Sequence, residues 1–261
     1  MVLPVDIGNA AQDEDIEQVK AWLQSGGSMD DQDGEGYTLL HCCACGSQWS
    51  QVDSTSIRPG HVAIARHLLA LGADPSIADM DNFDQAGGTP LLTASRCRGE
   101  ASIDMVRILL DAGADPNATD TKGYRPLWNA IEEQEDYETN ERLNRALLVV
   151  RMLIRAGSSL DSPLGSVEDK ITAAYGSTSD DERVAAMRSL VEGVRAAGGT
   201  WAAYAKLPRK RVLRLRSLAV RGGRAKDPTD PIVVRVFRLP NELCWHVLQF
   251  WRATDATGEV F

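Results

Sequence analysis

A helical segment that recurs four times, each copy ending at a glycine, constrains this chain more than any other feature. Apolar residues stand three and four positions apart in every copy, which is the spacing of an amphipathic helix. In the second copy this spacing places Ile64, Leu68 and Leu69 on one face, with Arg66 and His67 directed away. A single such helix cannot bury its apolar face, so neighbouring copies must stack. The copies lie at 15–28, 60–76, 99–117 and 149–160.

Glycine and proline predict where these helices end. Gly72, Gly113 and Gly157 stand where a helix commonly closes with a left-handed residue, a conformation that glycine adopts at little cost. Asp-Pro pairs follow at 74–75 and 115–116. Because proline cannot continue a helix, each pair predicts that the chain turns outward there.

A shorter signature precedes these helices and predicts a second, shorter helix in each unit. Thr38 and Thr89 are placed to cap a helix that begins at the next residue, and Pro90 and Pro126 suit its first turn. The unit is therefore a loop, a short helix, a turn, a longer helix and a glycine stop. The signature is GYTLLH at 36–41, GGTPLLTA at 87–94 and GYRPLWNA at 123–130.

These pieces resemble the ankyrin repeat family, whose pattern is G-x-T-P-L-H, a G-H-x-x-I-V-x-L-L-L helix and G-A-D-x-N. The match is close at 60–76, 87–94 and 99–117. The resemblance implies an all-α ankyrin-repeat solenoid of about four repeats, irregular first and last, followed by two C-terminal tail helices. The expected domains are a stack at 1–200 (cap 5–30, repeats at about 33–76, 79–117 and 120–160, degenerate final repeat 161–200) and a basic, aromatic tail at 201–261.

Insertions lengthen every repeat. The stop glycines, starting with Gly26, lie 46, 41 and 44 residues apart, whereas the ankyrin period is about 33. Such insertions are tolerated because the free energy of closing a surface loop grows slowly with its length. Irregular repeats favour a specific recognition surface over a plain spacer. The extra residues fall at 47–59, at 77–87 with 95–102, and at 132–146, where both helices of the repeat are expected to be longer.

Charge changes sign near residue 200. The chain has a formal net charge of −9, which argues against nucleic acid as the target of the whole chain. Residues 201–261 nevertheless hold twelve Lys or Arg against five Asp or Glu, which marks a separate element. Its basic segment at 206–226 fits a helix docked by its own apolar residues, a nuclear-import or nucleic-acid patch, or a calmodulin-type or membrane-surface helix.

The end of the chain carries a further apolar helix pattern. The residues LPNELCWHVL at 239–248 resemble the start of an F-box, and together with RLRSLAVR at 214–221 they are similar to a SOCS box. Arg216 departs from the SOCS pattern, which has a cysteine there. The resemblance implies a tail that recruits a ubiquitin-ligase core, and burial against the chain's own last repeat is the other interpretation. The apolar face consists of Leu239, Pro240, Leu243, Val247, Leu248 and Trp251.

Catalytic and metal-binding patterns are weak in this sequence. His41, Cys42 and Cys45 are spaced so that a helix could offer them together to zinc, but no second pair of ligands follows nearby. The ankyrin resemblance instead implies that His41 braces a loop and that the cysteines fill small core sites. The acidic run at 132–138 is typical of a solvated helix face. With no phosphate loop, dinucleotide fingerprint or nucleophile elbow, the sequence predicts no enzyme, cofactor or metal site.

The sequence therefore predicts a scaffold that binds another protein on the concave face of the stack, through loop tips and first helices. An acidic stack predicts a partner with a basic surface, and neither a small-molecule substrate nor a transmembrane segment is expected. Five cysteines without a disulfide framework and an N-terminus without a secretory signal predict a cytoplasmic or nuclear protein. The predicted contacts are Asp33, Glu35, Tyr37, Asp81, Asn82, Phe83, Lys122 and Tyr124.

Overall fold

The chain divides into two compact units, residues 1–201 and 202–261. The architecture described below is that of the first unit. Residues 208–261, with Cys244 and nearly all of both predicted tail segments, lie outside the described residues. The computed structural model describes residues 2–46, 56–80, 86–97, 101–131, 139–177, 179 and 181–207.

Five helical hairpins follow one another along the described part of the first unit. Each pairs a first helix with a second helix, as the repeated unit of the sequence predicts. None of the described helices is both long enough and apolar enough to cross a membrane. The pairs are α1 (Val5–Gln12) with α2 (Ile16–Gln24), α3 (Leu39–Cys45) with α4 (Pro59–Leu71), α5 (Pro90–Arg96) with α6 (Ser102–Asp111), α7 (Pro126–Ile131) with α8 (Thr139–Ala156), and α9 (Val167–Tyr175) with α10 (Glu182–Ala196). Two short strands, β1 (Asp161–Ser162) and β2 (Gly165–Ser166), precede α9, and α11 spans Trp201–Ala205.

Caps and glycines fix where the helices begin and end. Thr89 Oγ1 accepts the N–H of Leu92 at 3.4 Å in the first turn of α5. Gly72, Gly113 and Gly157 have φ values of 98°, 91° and 102° after α4, α6 and α8. A methyl group on any of these three glycines would meet no atom within 4 Å. The left-handed backbone alone therefore requires glycine there, as predicted.

The helices form two layers. The first helices α1, α3, α5, α7 and α9 pack side by side, and the second helices α2, α4, α6, α8 and α10 do the same. Leu68, Leu109 and Leu153, one on each of α4, α6 and α8, are fully buried. Full burial of a leucine side chain contributes about 1.5–3 kcal/mol to folding. Ile64 is also fully buried, whereas Leu69, which the spacing placed on the same face, is half-buried.

The Asp-Pro pairs turn the chain outward, as the sequence predicts. Asp74 Oδ1 accepts the N–H of Ser76, and Asp115 Oδ1 accepts the N–H of Asn117, both at 2.8 Å. The N–H of Asp74 in turn donates to Asp30 Oδ1 at 2.9 Å, which links this turn to the corresponding turn of the preceding unit.

The first two insertions stand mainly between helices, whereas the third accompanies a longer helix. As predicted, residues 47–55 separate α3 from α4. Residues 81–85 come before α5, and both segments lie outside the described residues. The third insertion accompanies a long α8, which has 18 residues against 13 in α4 and 10 in α6. An extension of α7 beyond Ile131 would fall on 132–138, which also lie outside the described residues.

Candidate functional site

An aspartate leads each of the four turns that precede α3, α5, α7 and α9. In the first turn, Asp33 Oδ1 accepts the backbone N–H groups of Glu35 and Tyr37, both at 2.9 Å. In the third, Asp120 Oδ1 accepts the N–H groups two and four residues later, at 3.0 and 2.8 Å. These two carboxylates hold their turns closed. The described residues of the four turns are together named the hairpin ribbon, which comprises 33–37, 79–80 with 86–88, 120–124 and 161–165.

The second turn accommodates a long insertion without losing its closing bonds. The N–H of Asp79 donates to Gly88 O at 2.9 Å, as the N–H of Asp33 donates to Tyr37 O at 3.0 Å. Asp79 Oδ1 also accepts the N–H groups of Gly87 and Gly88, at 2.8 and 3.0 Å. An aspartate therefore closes this turn although its ends lie nine positions apart in sequence instead of four.

Backbone hydrogen bonds join the first three turns of the ribbon. The N–H of Met80 donates to Glu35 O at 2.8 Å, and the N–H of Thr121 donates to Ala86 O at 2.9 Å. Gly36 has a φ of 86°, and a methyl group there would collide with the backbone nitrogen of Met80. Both the backbone conformation and the close approach of the next turn therefore require glycine at this position.

The fourth turn has no glycine at the position that contacts the next turn. There β1 and β2 pair antiparallel, and Leu164, which is 44% exposed, stands where the preceding turns have Gly36, Gly87 and Gly123. A methyl group on Gly123 would lie 3.5 Å from the Pro163 side chain, so the third and fourth turns are in contact. The fourth turn therefore presents an exposed leucine where the preceding turns have glycine.

His41 connects the first two turns from inside the core. Its Nδ1 accepts the N–H of Thr38 at 3.1 Å, so the ring proton lies on Nε2, which donates to Gly88 O at 3.0 Å. Burial lowers the pKa of this imidazole to about 4, so the ring is neutral at pH 7. The ring of Tyr37 packs edge-on against it, with centroids 5.6 Å apart. The bracing role predicted for His41 is confirmed.

His61 makes the same pair of bonds in the opposite direction along the stack. Its Nδ1 accepts the N–H of Arg58 at 2.9 Å, and its Nε2 donates to Gln12 O at 2.8 Å. His61 lies in the copy of the repeated helix at 60–76, and the sequence predicted no bond for it. Together, His41 and His61 link three consecutive repeats through buried side chains.

Glu14 is a strained residue with a structural function that the sequence did not reveal. Its φ is 66°, and it is the one non-glycine residue with a positive φ in the described part of the chain. Its carboxylate accepts the N–H of Gly60 at 2.8 Å and pairs with Arg58 Nε at 2.8 Å. A methyl group on Gly60 would collide with the Glu14 side chain. The strain is therefore associated with a contact between the first two repeats.

Four cysteines lie in the core as free thiols. Burial raises the pKa of Cys42 to about 12 and that of Cys97 to about 11, and raises those of Cys43 and Cys45 well above their usual range. Thiols that stay protonated are poor nucleophiles and poor metal ligands. Among the described residues, no group of three or more His, Cys, Asp or Glu side chains could hold a metal ion. These cysteines pack as small core residues, as expected.

Arg195 connects the last turn to the final helix pair. Its Nη2 lies 2.8 Å from an oxygen of Asp161 and 2.8 Å from an oxygen of Glu168. The hydrogen bond from Arg195 lowers the pKa of Asp161. The carboxylate of Asp161 therefore binds α10, whereas those of the other three turn aspartates close their own turns.

The predicted contacts occupy different environments. Glu35 and Lys122 are exposed at turn tips, whereas Tyr37 and Tyr124 are half-buried. Asp33 is engaged in closing its turn. The hairpin ribbon and the adjoining layer of first helices form the candidate surface. Outside the described residues lie Asp81, Asn82, Phe83, Leu239, Pro240, Leu243, Val247, Leu248 and Trp251.

A family model for ankyrin repeats matches residues 7–120 in three copies. This segment begins in α1 and ends at Asp120, and it includes the first two turns of the hairpin ribbon with both of the histidine braces. Residues 7–120 therefore contain ankyrin repeats. The all-α ankyrin-repeat solenoid predicted from the sequence is therefore confirmed, whereas no finding bears on the resemblance of the tail to a SOCS box or F-box.

Two curated proteins are similar to the ankyrin-repeat part of the chain. A protein of Rickettsia bellii (strain RML369-C), described as an ankyrin repeat protein, is 29% identical over 142 residues, which cover 53% of this chain and 32% of that protein. "Zinc finger CCCH domain-containing protein 24" of Oryza sativa subsp. japonica is 33% identical over 115 residues, which cover 41% of this chain and 14% of that protein. The chain thus spans a third or less of the length of either relative.

Proposed function

We propose that the ankyrin stack is a non-enzymatic scaffold that recognises another protein along the hairpin ribbon and the adjoining first helices. One observation carries this proposal: a regular, hydrogen-bonded backbone presents a different side chain at each turn. Glu35, Lys122 and Leu164 are exposed in the first, third and fourth turns. A backbone held in this way lowers the entropy lost when a partner binds.

The first turn supports the proposal of a basic partner surface. Glu35 is exposed, and the first 200 residues hold twice as many acidic as basic side chains. The exposed tip carboxylate can therefore steer a basic segment of the partner toward this end of the ribbon, and the association would weaken with salt.

Display of a protein-fragment library against the full chain tests the proposed function. We expect the enriched fragments to bind the wild type at least tenfold more tightly than they bind Tyr37→Ala or Tyr124→Ala, a loss of about 1.4 kcal/mol. Arg66→Ala, on the exposed side of α4, is the control and should bind like the wild type. Fragments that bind all four proteins equally well would reject the ribbon as the binding surface.

The tail sequence supports a second candidate function, that of a ubiquitin-ligase substrate receptor. The segments 214–221 and 239–248 are similar to a SOCS box or F-box. Purification of the full chain and of Leu243→Asp from cells should recover ligase core subunits with the former and lose them with the latter. A third candidate, a nuclear or nucleic-acid adaptor acting through 206–226, predicts a salt-dependent gel shift with RNA or DNA.

A further inference from the structure

Three side chains, Arg125, Trp128 and Lys170, form a cluster between the third and fourth turns, named the basic corner. Trp128 on α7 is 9% exposed, and its ring edge lies 3.8 Å from the position of a methyl group on Gly165. The ammonium nitrogen of Lys170 on α9 lies 5.3 Å from the centroid of the same ring. Arg125, which precedes α7, donates from Nη1 to Asp161 O at 2.6 Å. The corner therefore combines an aromatic wall with two cations.

The basic corner contains two hydrogen-bond donors without an acceptor. Arg125 Nε and Trp128 Nε1 are both buried, and neither has a partner in the described part of the chain. Trp128 stands in α7 at the position that His41 occupies in α3, three residues after the cap. His41 donates to Gly88 O, whereas the indole N–H of Trp128 has no acceptor among the described residues. Buried donors are normally satisfied, so these two distinguish the corner from the corresponding places in the other repeats.

The carboxylates nearest the basic corner already have partners. Asp161 and Glu168 bind Arg195, and Asp169, next to Lys170 in sequence, accepts the hydroxyl hydrogen of Ser166 at 2.6 Å. Within the described residues, neither Arg125 nor Lys170 forms an ion pair. The charge of Lys170 is therefore available to a ligand, whereas that of Arg125 also acts on Asp161, whose pKa it helps to lower.

From this geometry we propose that the basic corner binds an acidic segment of the protein partner. An Asp or Glu side chain accepts from the Lys170 ammonium as it leaves the indole face, and from the Arg125 guanidinium. An apolar residue beside that carboxylate covers the small exposed part of the Trp128 side chain. One cation beside the indole and a second just before α7 suit an acidic side chain better than a nucleic-acid strand, which needs a longer row of positive charge. This inference rests on the proposed scaffold function and adds the chemistry and orientation of the partner.

A random peptide library selected on the immobilised full chain tests the basic corner. We expect peptides enriched on the wild type to share an Asp or Glu next to an apolar or aromatic residue. Lys170→Glu should bind these peptides at least tenfold more weakly. Peptides selected on Lys170→Glu itself should instead be enriched in Lys or Arg. Lys170→Arg should retain the acidic preference. Arg66→Glu makes the same change of charge on α4, outside the corner, and should retain it as well.

The indole N–H resonance of Trp128, assigned with Trp128→Phe, provides a second measurement on the full chain. Titration with an enriched acidic peptide should shift this resonance in the wild type and leave it in place in Lys170→Glu. An unchanged peptide preference in Lys170→Glu would overturn the basic corner while leaving the scaffold function intact. Failure to enrich any peptide on any variant would count against the scaffold function itself. If an RNA homopolymer displaced the peptides and also bound Lys170→Glu at least tenfold more weakly than the wild type, the corner would be reassigned to polyanions.

Discussion

The enclosed, neutral imidazole of His41 makes the stability of the ankyrin stack depend on pH. Burial lowers its pKa from 6.5 to about 4, so between these values the unfolded chain binds a proton that the folded chain does not. The free energy of unfolding therefore falls as the pH drops from about 6.5 to about 4, by about 3 kcal/mol from this group. Above about pH 7 this group adds no further pH dependence.

Urea unfolding of the wild type and of His41→Asn across this pH range measures the effect. The wild type should be the more stable protein at pH 7, and its advantage should shrink toward pH 4 as the folded chain becomes unable to keep the imidazole neutral. A difference between the two proteins that stays constant from pH 7 to pH 4 would show that His41 is not held neutral by burial.

Glu14 allows the cost of a left-handed residue to be measured directly. Both Glu14→Gly and Glu14→Ala lose the bonds to Gly60 and Arg58, but only the alanine variant keeps the strained side chain at a φ of 66°. We expect Glu14→Gly to be the more stable of the two by about 1 kcal/mol. Thermal or urea unfolding of the pair gives this difference, and equal stabilities would mean that the backbone at residue 14 relaxes.

Single residues also show how far the sequence could be interpreted. His41 could be assigned because it stands at a fixed place in a recurring signature, and its partner is the backbone of the next copy. His61 and Glu14 could not be assigned, since Gln12 and Gly60 come within reach of them only after the first two repeats have stacked. The position of a residue in a repeat therefore predicts the contacts that recur in every copy, but not those that arise only between two particular copies.

Gly36 and Gly72 separate two reasons for glycine at the scale of turns and helices. Both have a positive φ, but a methyl group on Gly36 would collide with the next turn, whereas one on Gly72 would meet no atom within 4 Å. We expect Gly72→Ala to lower the free energy of unfolding by about 1 kcal/mol, which is the cost of the left-handed backbone conformation alone. Gly36→Ala should cost more, about 2–4 kcal/mol, because the second turn must move. Urea unfolding ranks the two variants, and equal costs would mean that the turns do not touch.

The helices of the stack followed from spacing and end signals, but the environments of the turn side chains did not. Apolar residues three and four apart predicted α4 and α6 with their glycine stops. The same pattern gave no sign that Asp33, which is predicted to contact a partner, also closes its own turn. Trp128 stands at the histidine position of its repeat, and only the folded chain shows that its N–H lacks an acceptor.

At the scale of the whole molecule, net charge is a poor guide to the chemistry of the surface. The first 200 residues are strongly acidic, yet the carboxylates of Asp33, Asp79 and Asp120 are turned into the hairpin ribbon by backbone N–H groups. The first turn presents Glu35, and the basic corner presents Arg125 and Lys170 at the other end. The proposed partner therefore carries a basic segment and an acidic segment, which fixes its direction along the stack.

The register of the ribbon underlies both proposals, and two backbone hydrogen bonds define it. In the full chain, NMR should detect a scalar coupling across each hydrogen bond. One coupling joins the amide nitrogen of Met80 to the carbonyl carbon of Glu35, and the other joins the amide nitrogen of Thr121 to the carbonyl carbon of Ala86. Observation of both couplings, with slow exchange of the two amide hydrogens, is the predicted result. Rapid exchange of both amides in a chain that keeps its helical circular dichroism would contradict a continuous ribbon.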